Sequence, residues 1–234
     1  MVPPVPGLWL TQTHANCECN EFVSAHNRVL GECPLPSNAG LAGVRKHLAS
    51  LAKRMAVVPL TLEQALNHFR GARYTLYKNA YDSLQRKPLG RNDSTLSCFI
   101  KSEKMDPSAK INPDPRMIQA RGPRFNLHMA CYVHPLERQV YTTCDWSGMR
   151  VFAKGLNTLQ KAELIRAKFS LLRNPVCYSL DASRFDKHVS PQLLGEEHRF
   201  YKSVFKGDAL LAKLCEWQTT NRCYTQNNVK YTAK

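Results

Sequence analysis

Acidic residues are scarce in this sequence. Over 234 residues, 18 Asp and Glu face 33 Lys and Arg, giving a formal charge of +15 and a pI near 9.6. Such an excess opposes compaction by self-repulsion and implies a polyanionic partner, nucleic acid first and an acidic membrane surface second. No apolar run approaches the length that crosses a bilayer. Met1 is followed by VPPVPGLWL, which has no basic segment and too short an apolar stretch for a secretory signal. The expectation is a soluble chain with no transmembrane segment. The nine cysteines, from Cys17 to Cys223, contain no C-x2-C pair and are odd in number. That excludes a standard zinc ribbon and argues for reduced thiols rather than a disulfide framework. One cluster, His14, Cys17, Cys19, His26 and Cys33, has zinc-ligand chemistry, although its spacing fits no standard finger.

What remains is a globular composition, 43% hydrophobic and 22% charged, with enough chain for one large domain or parts of two. Residues 1 to 37 are rich in Pro, Cys and Asn, show little periodicity, and read as irregular. From Leu41 the apolar residues Leu41, Val44, Leu48, Leu51 and Met55 recur at helical spacing, with Arg45, Lys46, Lys53 and Arg54 off the stripe. This predicts an amphipathic helix ended by Pro59. Thr61 and Gln64 form a capping-box signature for a second helix through Leu62, Leu66 and Phe69.

A third helix carries Tyr74, Tyr77, Tyr81 and Leu84. Between Arg70 and Arg91 six basic residues, among them Arg73 and Lys78, face one acid, Asp82, a local charge of +5. Cations interleaved with tyrosines bind phosphates and stack bases; a tyrosine stripe packed into a core beneath a solvated basic face fits the same pattern.

Leu96, Cys98 and Ile100 alternate with Ser97, Phe99 and Lys101, predicting a strand. A loop holding Pro107, Pro113 and Pro115 follows, then a second short strand around Arg116 to Gln119. Lys101, Lys104, Lys110, Arg116, Arg121 and Arg124 lie along this flap. Arginine forks and mobile lysine charges in one place are what gripping a triphosphate requires. A solvated charged hairpin reads the same by composition. Phe125 to Tyr141 reads as a helix kinked at Pro135; Asp145, Trp146 and Gly148 mark a loop; Asn157 caps a helix with Leu159, Ala162, Ile165 and Phe169 on one face.

The remaining signal lies in SLDASRFDKHVS, Ser179 to Ser190. Val176, Tyr178 and Leu180 alternate with Cys177, Ser179 and Asp181, predicting a strand with Asp181 at its C-terminal end. Asp186 follows five residues later, and Ser190 with Pro191 reads as an N-cap and first helical position. A carboxylate at a strand end can hold Mg2+. The D-x4-D spacing equally fits a surface acid, with Asp186 paired to Arg184 or Lys187. Asp208 reads as the N-cap of a further helix, and NRCYTQNNVKYTAK as a turn and a strand.

DASRFDKHVS resembles motif A of the RNA-dependent RNA polymerases of positive-strand RNA viruses, most closely the tombusvirus, carmovirus and umbravirus group. FIKSEK followed by PRMIQAR, with Lys101 and Arg116 fifteen positions apart, is similar to motif F of the same enzymes. GARYTLYKNAYDSL and RFNLHMACYVHPLE also resemble segments of that family. The resemblance implies an α+β right-hand polymerase fold, fingers plus the beginning of the palm. Residues 1–40 would be an irregular N-terminal segment, 41–174 fingers with the basic flap, 175–207 the start of the palm, and 208–234 a return toward the fingers. By resemblance Asp181 is catalytic and holds Mg2+ (or Mn2+), and Asp186 takes part in recognising the ribose 2'-hydroxyl. Lys101, Lys110 and Arg116 contact the incoming triphosphate, and Arg121 and Arg124 meet template RNA or structural acids; Arg73 and Lys78 join them as RNA-binding cations.

The implied partners are RNA template and product, ribonucleoside triphosphates, and viral or host replication proteins, in membrane-associated complexes of the host cytoplasm. Asp186 argues against a reverse transcriptase, which carries a bulky aromatic there. The S-G-x-x-x-N-T and GDD segments of the family are absent from the sequence. The expectation is therefore an N-terminal portion of a polymerase, inactive alone. The competing expectation is a non-enzymatic basic RNA-binding replication factor.

Overall fold

Strand β1 (Leu96–Ile100) buries Leu96, Cys98 and Ile100 and turns Ser97 and Phe99 outward, as the period-2 pattern requires. In the computed structural model, which describes residues 13–105 and 113–233, β1 pairs antiparallel with β2 (Met117–Arg121), Leu96 opposite Arg121 and Ile100 opposite Met117. On its other edge β1 runs parallel to β3 (Asn221–Thr225), Leu96 opposite Cys223. A turn through Asn228, in the left-handed conformation that Asn tolerates, leads to β4 (Lys230–Ala233), giving the order β2-β1-β3-β4. The tail thus forms two strands, one more than the sequence pattern predicts. A small apolar cluster of Ala25, Leu96, Cys98, Ile100, Met117 and Cys223 seals one face of the sheet.

Helices supply the larger core. α2 (Asn38–Ala52) is capped by Ser37, and α3 (Leu62–Leu66) by the reciprocal Thr61/Gln64 box. α4 (Gly71–Arg86) and α5 (Pro123–Tyr141) pack against α3 and against each other. α6 (Thr158–Ser170) opens on an Asn157/Gln160 capping box, and the single turn α7 (Phe185–His188) follows. α8 (Pro191–Val204) is capped by Ser190, and α9 (Ala209–Glu216) by Asp208. Phe125, Leu127, Cys131 and Leu136 of α5 meet Phe200, Phe205, Leu211 and Leu214 in one cluster. Each large apolar side chain buried there contributes about 1.5–3 kcal/mol.

Pro135 sits inside α5, where it cannot donate to the carbonyl of Cys131. The Leu60 N–H donates to that carbonyl instead, at 2.8 Å. This fixes the strand-like approach of residues 56–60 to α3 against the middle of α5. Glu196 of α8 is buried and accepts a forked hydrogen bond from Arg45 of α2, with Arg199 on its second oxygen at 3.2 Å. A buried carboxylate requires such pairing.

Three local expectations are corrected. Residues 1–37 are not irregular throughout, because α1 (Glu18–Ser24) runs into a π-helical turn at Ala25–Leu30. Its inward face is Glu21, Ser24 and Ala25, polar or small, so no apolar stripe announces it. Its start is favoured by Glu18 and Glu21 in the first turn, where carboxylates offset the helix dipole. The strand predicted at Val176 to Asp181 does not form: Val176, Tyr178 and Leu180 are 70%, 82% and 91% exposed. A strand needs a hydrogen-bonded neighbour, and no described strand runs beside this segment. α6 forms, but its predicted inward face stays in solvent, with Leu159 and Ile165 exposed.

Candidate functional site

A cleft of about 520 Å³ opens between β2, α7, the start of α8 and the π-helical turn. Its wall carries Arg28, Arg116, Arg121, Arg184 and Lys187 against a single acid, Asp186. These residues come from three distant parts of the chain. Arg28 lies in the π-helical turn, Arg116 and Arg121 bracket β2, and Arg184, Asp186 and Lys187 belong to the DASRFDK turn.

β1 and β2 set the flap. The ladder continues one step past β1, with the Lys101 N–H donating to the Arg116 carbonyl at 2.7 Å. That register brings both side chains to Glu103, whose Oε1 lies 2.5 Å from Lys101 Nζ and 2.9 Å from an Arg116 nitrogen. The lysine hydrogen bond, reinforced by the Arg116 charge, holds the Glu103 carboxyl below its ordinary range. One carboxylate oxygen therefore gathers two of the three cations that the family resemblance assigned to a triphosphate. Lys110 lies outside the described residues.

Arg121 and Arg124 are placed differently. Arg121 lies on the cleft wall, 4.9 Å over the Phe125 ring, and donates to Asn221 at 2.6 Å and to the Ser94 carbonyl. Burial lowers the pKa of its guanidinium. Arg124 faces away from the cleft. It donates to Asp93 at 2.8 Å, to the carbonyls of Lys87 and Pro88 at 2.8 and 3.0 Å, and to the Ser83 hydroxyl. This matches the structural-acid alternative for Arg124, and its donors are engaged within the protein.

On α4, Arg73 is exposed, and Lys78 pairs with Asp82 at 2.5 Å while lying over the Tyr81 ring. Tyr77 stacks on Phe69, centroids 3.8 Å apart, and Tyr81 packs on the helical core. Those two rings are core; Tyr74 is the ring of the stripe that is exposed.

Asp181 and Asp186 sit on the same exposed turn, but only Asp186 lines the cleft. An ion such as Mg2+ binds through one or two carboxylates and completes its shell with substrate phosphates and water. Asp181, exposed, fits one such oxygen donor; among the described residues no three metal-ligating groups converge. The same holds for His14, Cys17, Cys19, His26 and Cys33, which are not brought together as a zinc site. His26 instead bonds Asn27 at 2.9 Å.

Sequence reasoning missed Arg28, which sat in a segment without periodicity, and Asp114. The surface alternative set Asp186 against Arg184 or Lys187; in the structure Arg184 pairs with Asp114. No local pattern carries that contact, because its partners are 70 residues apart.

A family model described as viral RNA dependent RNA polymerase matches residues 17–232. The chain is 40% identical over 194 residues to the RNA-directed RNA polymerase of Groundnut rosette virus, covering 82% of this chain and 23% of that protein. It is 34% identical over 211 residues to the enzyme of Panicum mosaic virus, covering 89% and 21%. With the Turnip crinkle virus enzyme it shares 36% over 192 residues, covering 81% and 24%. The chain spans about a quarter of the length of these relatives.

Proposed function

Since the chain belongs to the viral RNA-dependent RNA polymerase family, we propose that it supplies the nucleotide-entry side of a template-directed RNA polymerase that replicates viral RNA. The observation that carries this reading is the convergence of Arg116 and Arg121 from the flap with Arg184 and Asp186 from the DASRFD turn on one cleft. Arg116 and Lys101 would offset triphosphate charge once Glu103 yields them, Lys187 and Arg28 would add to the field, and Asp186 would accept a hydrogen bond from the ribose 2'-hydroxyl. Asp181 would be one carboxylate ligand of the divalent ions, Mg2+ or Mn2+. Such ions, when bound, stabilise the attacking and leaving oxygens of nucleotidyl transfer.

In this reading residues 41–174 are fingers, 175–207 begin the palm, and 208–234 return to the fingers; the parallel pairing of β3 with β1 supports the last assignment. RNA template and product are the partners, with replication proteins beside them in membrane-associated complexes of the host cytoplasm. Among the described residues no helix is long and apolar enough to cross a membrane. The alternative of a non-enzymatic RNA-binding factor is not favoured, since the relatives are RNA-directed RNA polymerases.

Acylation of Lys101 tests the reading. Added template RNA with ribonucleoside triphosphate and Mg2+ should protect Lys101 several-fold more than RNA alone. Equal protection by RNA without nucleotide would favour a plain RNA binder.

A further inference from the structure

We propose that Asp114 and Arg184 form a positioning pair that locks the DASRFD turn to the descending arm of the flap, so that Arg116 and Asp186 face one nucleotide at a fixed separation. The inference rests on the polymerase reading of the cleft.

Asp114 is a node for three segments. Its Oδ2 accepts from the Arg184 guanidinium, and its Oδ1 from the Asn27 side-chain amide at 3.0 Å. Its backbone carbonyl accepts from Arg28 at 3.3 Å. Arg184 also donates to the Asn27 carbonyl at 3.3 Å, which closes a ring of contacts between the π-helical turn, the flap and the turn. Asp114 stands two residues before Arg116, and Arg184 two residues before Asp186. The pair thus ties together the two short arms that end in the cleft's phosphate-side cation and its one acid.

The backbone supports the same assignment. Arg184 has φ 53 and ψ 45, a left-handed conformation that a non-glycine residue adopts only when surroundings over-determine it. The Arg184 carbonyl is held in turn by the Lys187 N–H at 3.0 Å and His188 Nδ1 at 3.0 Å. Glycine would suit this backbone better, but it could not reach Asp114. The arginine at this position therefore serves its side-chain contact.

A neighbouring Asp–Arg pair could act on a triphosphate through charge alone. The two roles separate experimentally. Asp114→Asn removes a negative charge and Arg184→Gly a positive one, while glycine keeps the left-handed turn. Charge alone would move triphosphate affinity in opposite directions and leave sugar discrimination untouched. A positioning role predicts that both variants lose discrimination alike.

The measurement is the dissociation constant of the 234-residue chain, with Mg2+, for ATP, 2'-deoxyATP and inorganic tripolyphosphate, alongside thermal melts. The parent should prefer ATP over 2'-deoxyATP by roughly ten-fold, the scale of one hydrogen bond to a charged acceptor. Both variants should bring that ratio to within about two-fold of unity, while tripolyphosphate affinity moves oppositely in the two. If Asp114→Asn unfolds, Arg184→Gly decides alone. An unchanged ratio in folded variants overturns the positioning pair and leaves the cleft's nucleotide reading standing; a parent ratio near one overturns the pair together with the ribose role of Asp186, and leaves only the triphosphate part of that reading. A parent that binds none of the three probes overturns both.

Discussion

Replacing Arg124 by alanine separates the two roles that sequence resemblance left open for it. In the structure its side chain is 18% exposed and its partner Asp93 24%. The guanidinium joins the C-terminal end of α4, the 3-10 turn Arg91–Ser94 and the first turn of α5. Removing it leaves the Lys87 and Pro88 carbonyls without this donor, and Asp93 with the Gly90 N–H at 2.8 Å. An exposed ion pair is worth about 0.2–1 kcal/mol and breaking a buried one costs about 3–5 kcal/mol. This partly covered site should fall between, at about 2–3 kcal/mol. For a chain of this size that lowers the melting temperature by about 5–10 °C. Circular dichroism melts give the shift, and fluorescence anisotropy with a labelled single-stranded RNA gives the binding arm. Affinity at fixed salt should change by no more than about two- to three-fold, the share of one distant charge. The double variant Asp93→Ala with Arg124→Ala should cost less than the sum of the two singles, by about 1–2 kcal/mol. A melting temperature within about 1 °C of the parent, together with a ten-fold loss of RNA affinity, would refute this reasoning and make Arg124 a phosphate contact.

Arg73, exposed on α4, should behave in the opposite way. Arg73→Ala should leave stability within about 0.5 kcal/mol and reduce the slope of log affinity against log salt by about 0.7; an unchanged slope removes it from the RNA surface. Stability should also depend on pH below neutrality. Burial lowers the imidazole pKa values of His128, His134 and His198 below the ordinary value. The unfolded chain then takes up protons first as pH falls, so the stabilisation is complete above about pH 6.5 and declines below it. The urea midpoint should be lower at pH 5 than at pH 7, and His198→Gln should lessen the difference; equal midpoints would contradict it.

The parts of this fold legible from the sequence are those closed within a few residues. Thr61 with Gln64, Asn157 with Gln160, Ser190 before Pro191, and Asp208 all cap helices where they stand, because a cap bonds an N–H two or three positions on. β1 was legible for the same reason, its buried face being written as alternation. The identical alternation at Val176 to Leu180 misled, since it specifies which face would be buried but not the neighbour that must hydrogen-bond to it. α1 was invisible because Glu21 and Ser24 occupy its inward face. At the site, Arg116 and Asp186 are singled out by motif resemblance, and both line the one cleft. Asp114, Arg184 and Arg28 acquire meaning only through contacts across the chain, which no window of sequence contains.

The parallel pairing of β1 with β3 has a consequence for how the chain is made. The second neighbour of the central strand is encoded more than a hundred residues later. At roughly 5–20 residues per second, translation leaves that edge of β1 without its partner for on the order of ten seconds. An unpaired edge of this kind templates association with other nascent chains. Successive amides in a strand point to opposite sides, so the Ile100 N–H faces away from β2, toward which the Lys101 N–H points. It is taken at 2.8 Å by the side-chain oxygen of Asn16, a residue synthesised well before β1. The N-terminal segment is thus available to blunt the waiting edge at one end, and Asn16 substitutions should show their first effect as lower soluble yield during synthesis, ahead of any loss in the finished protein.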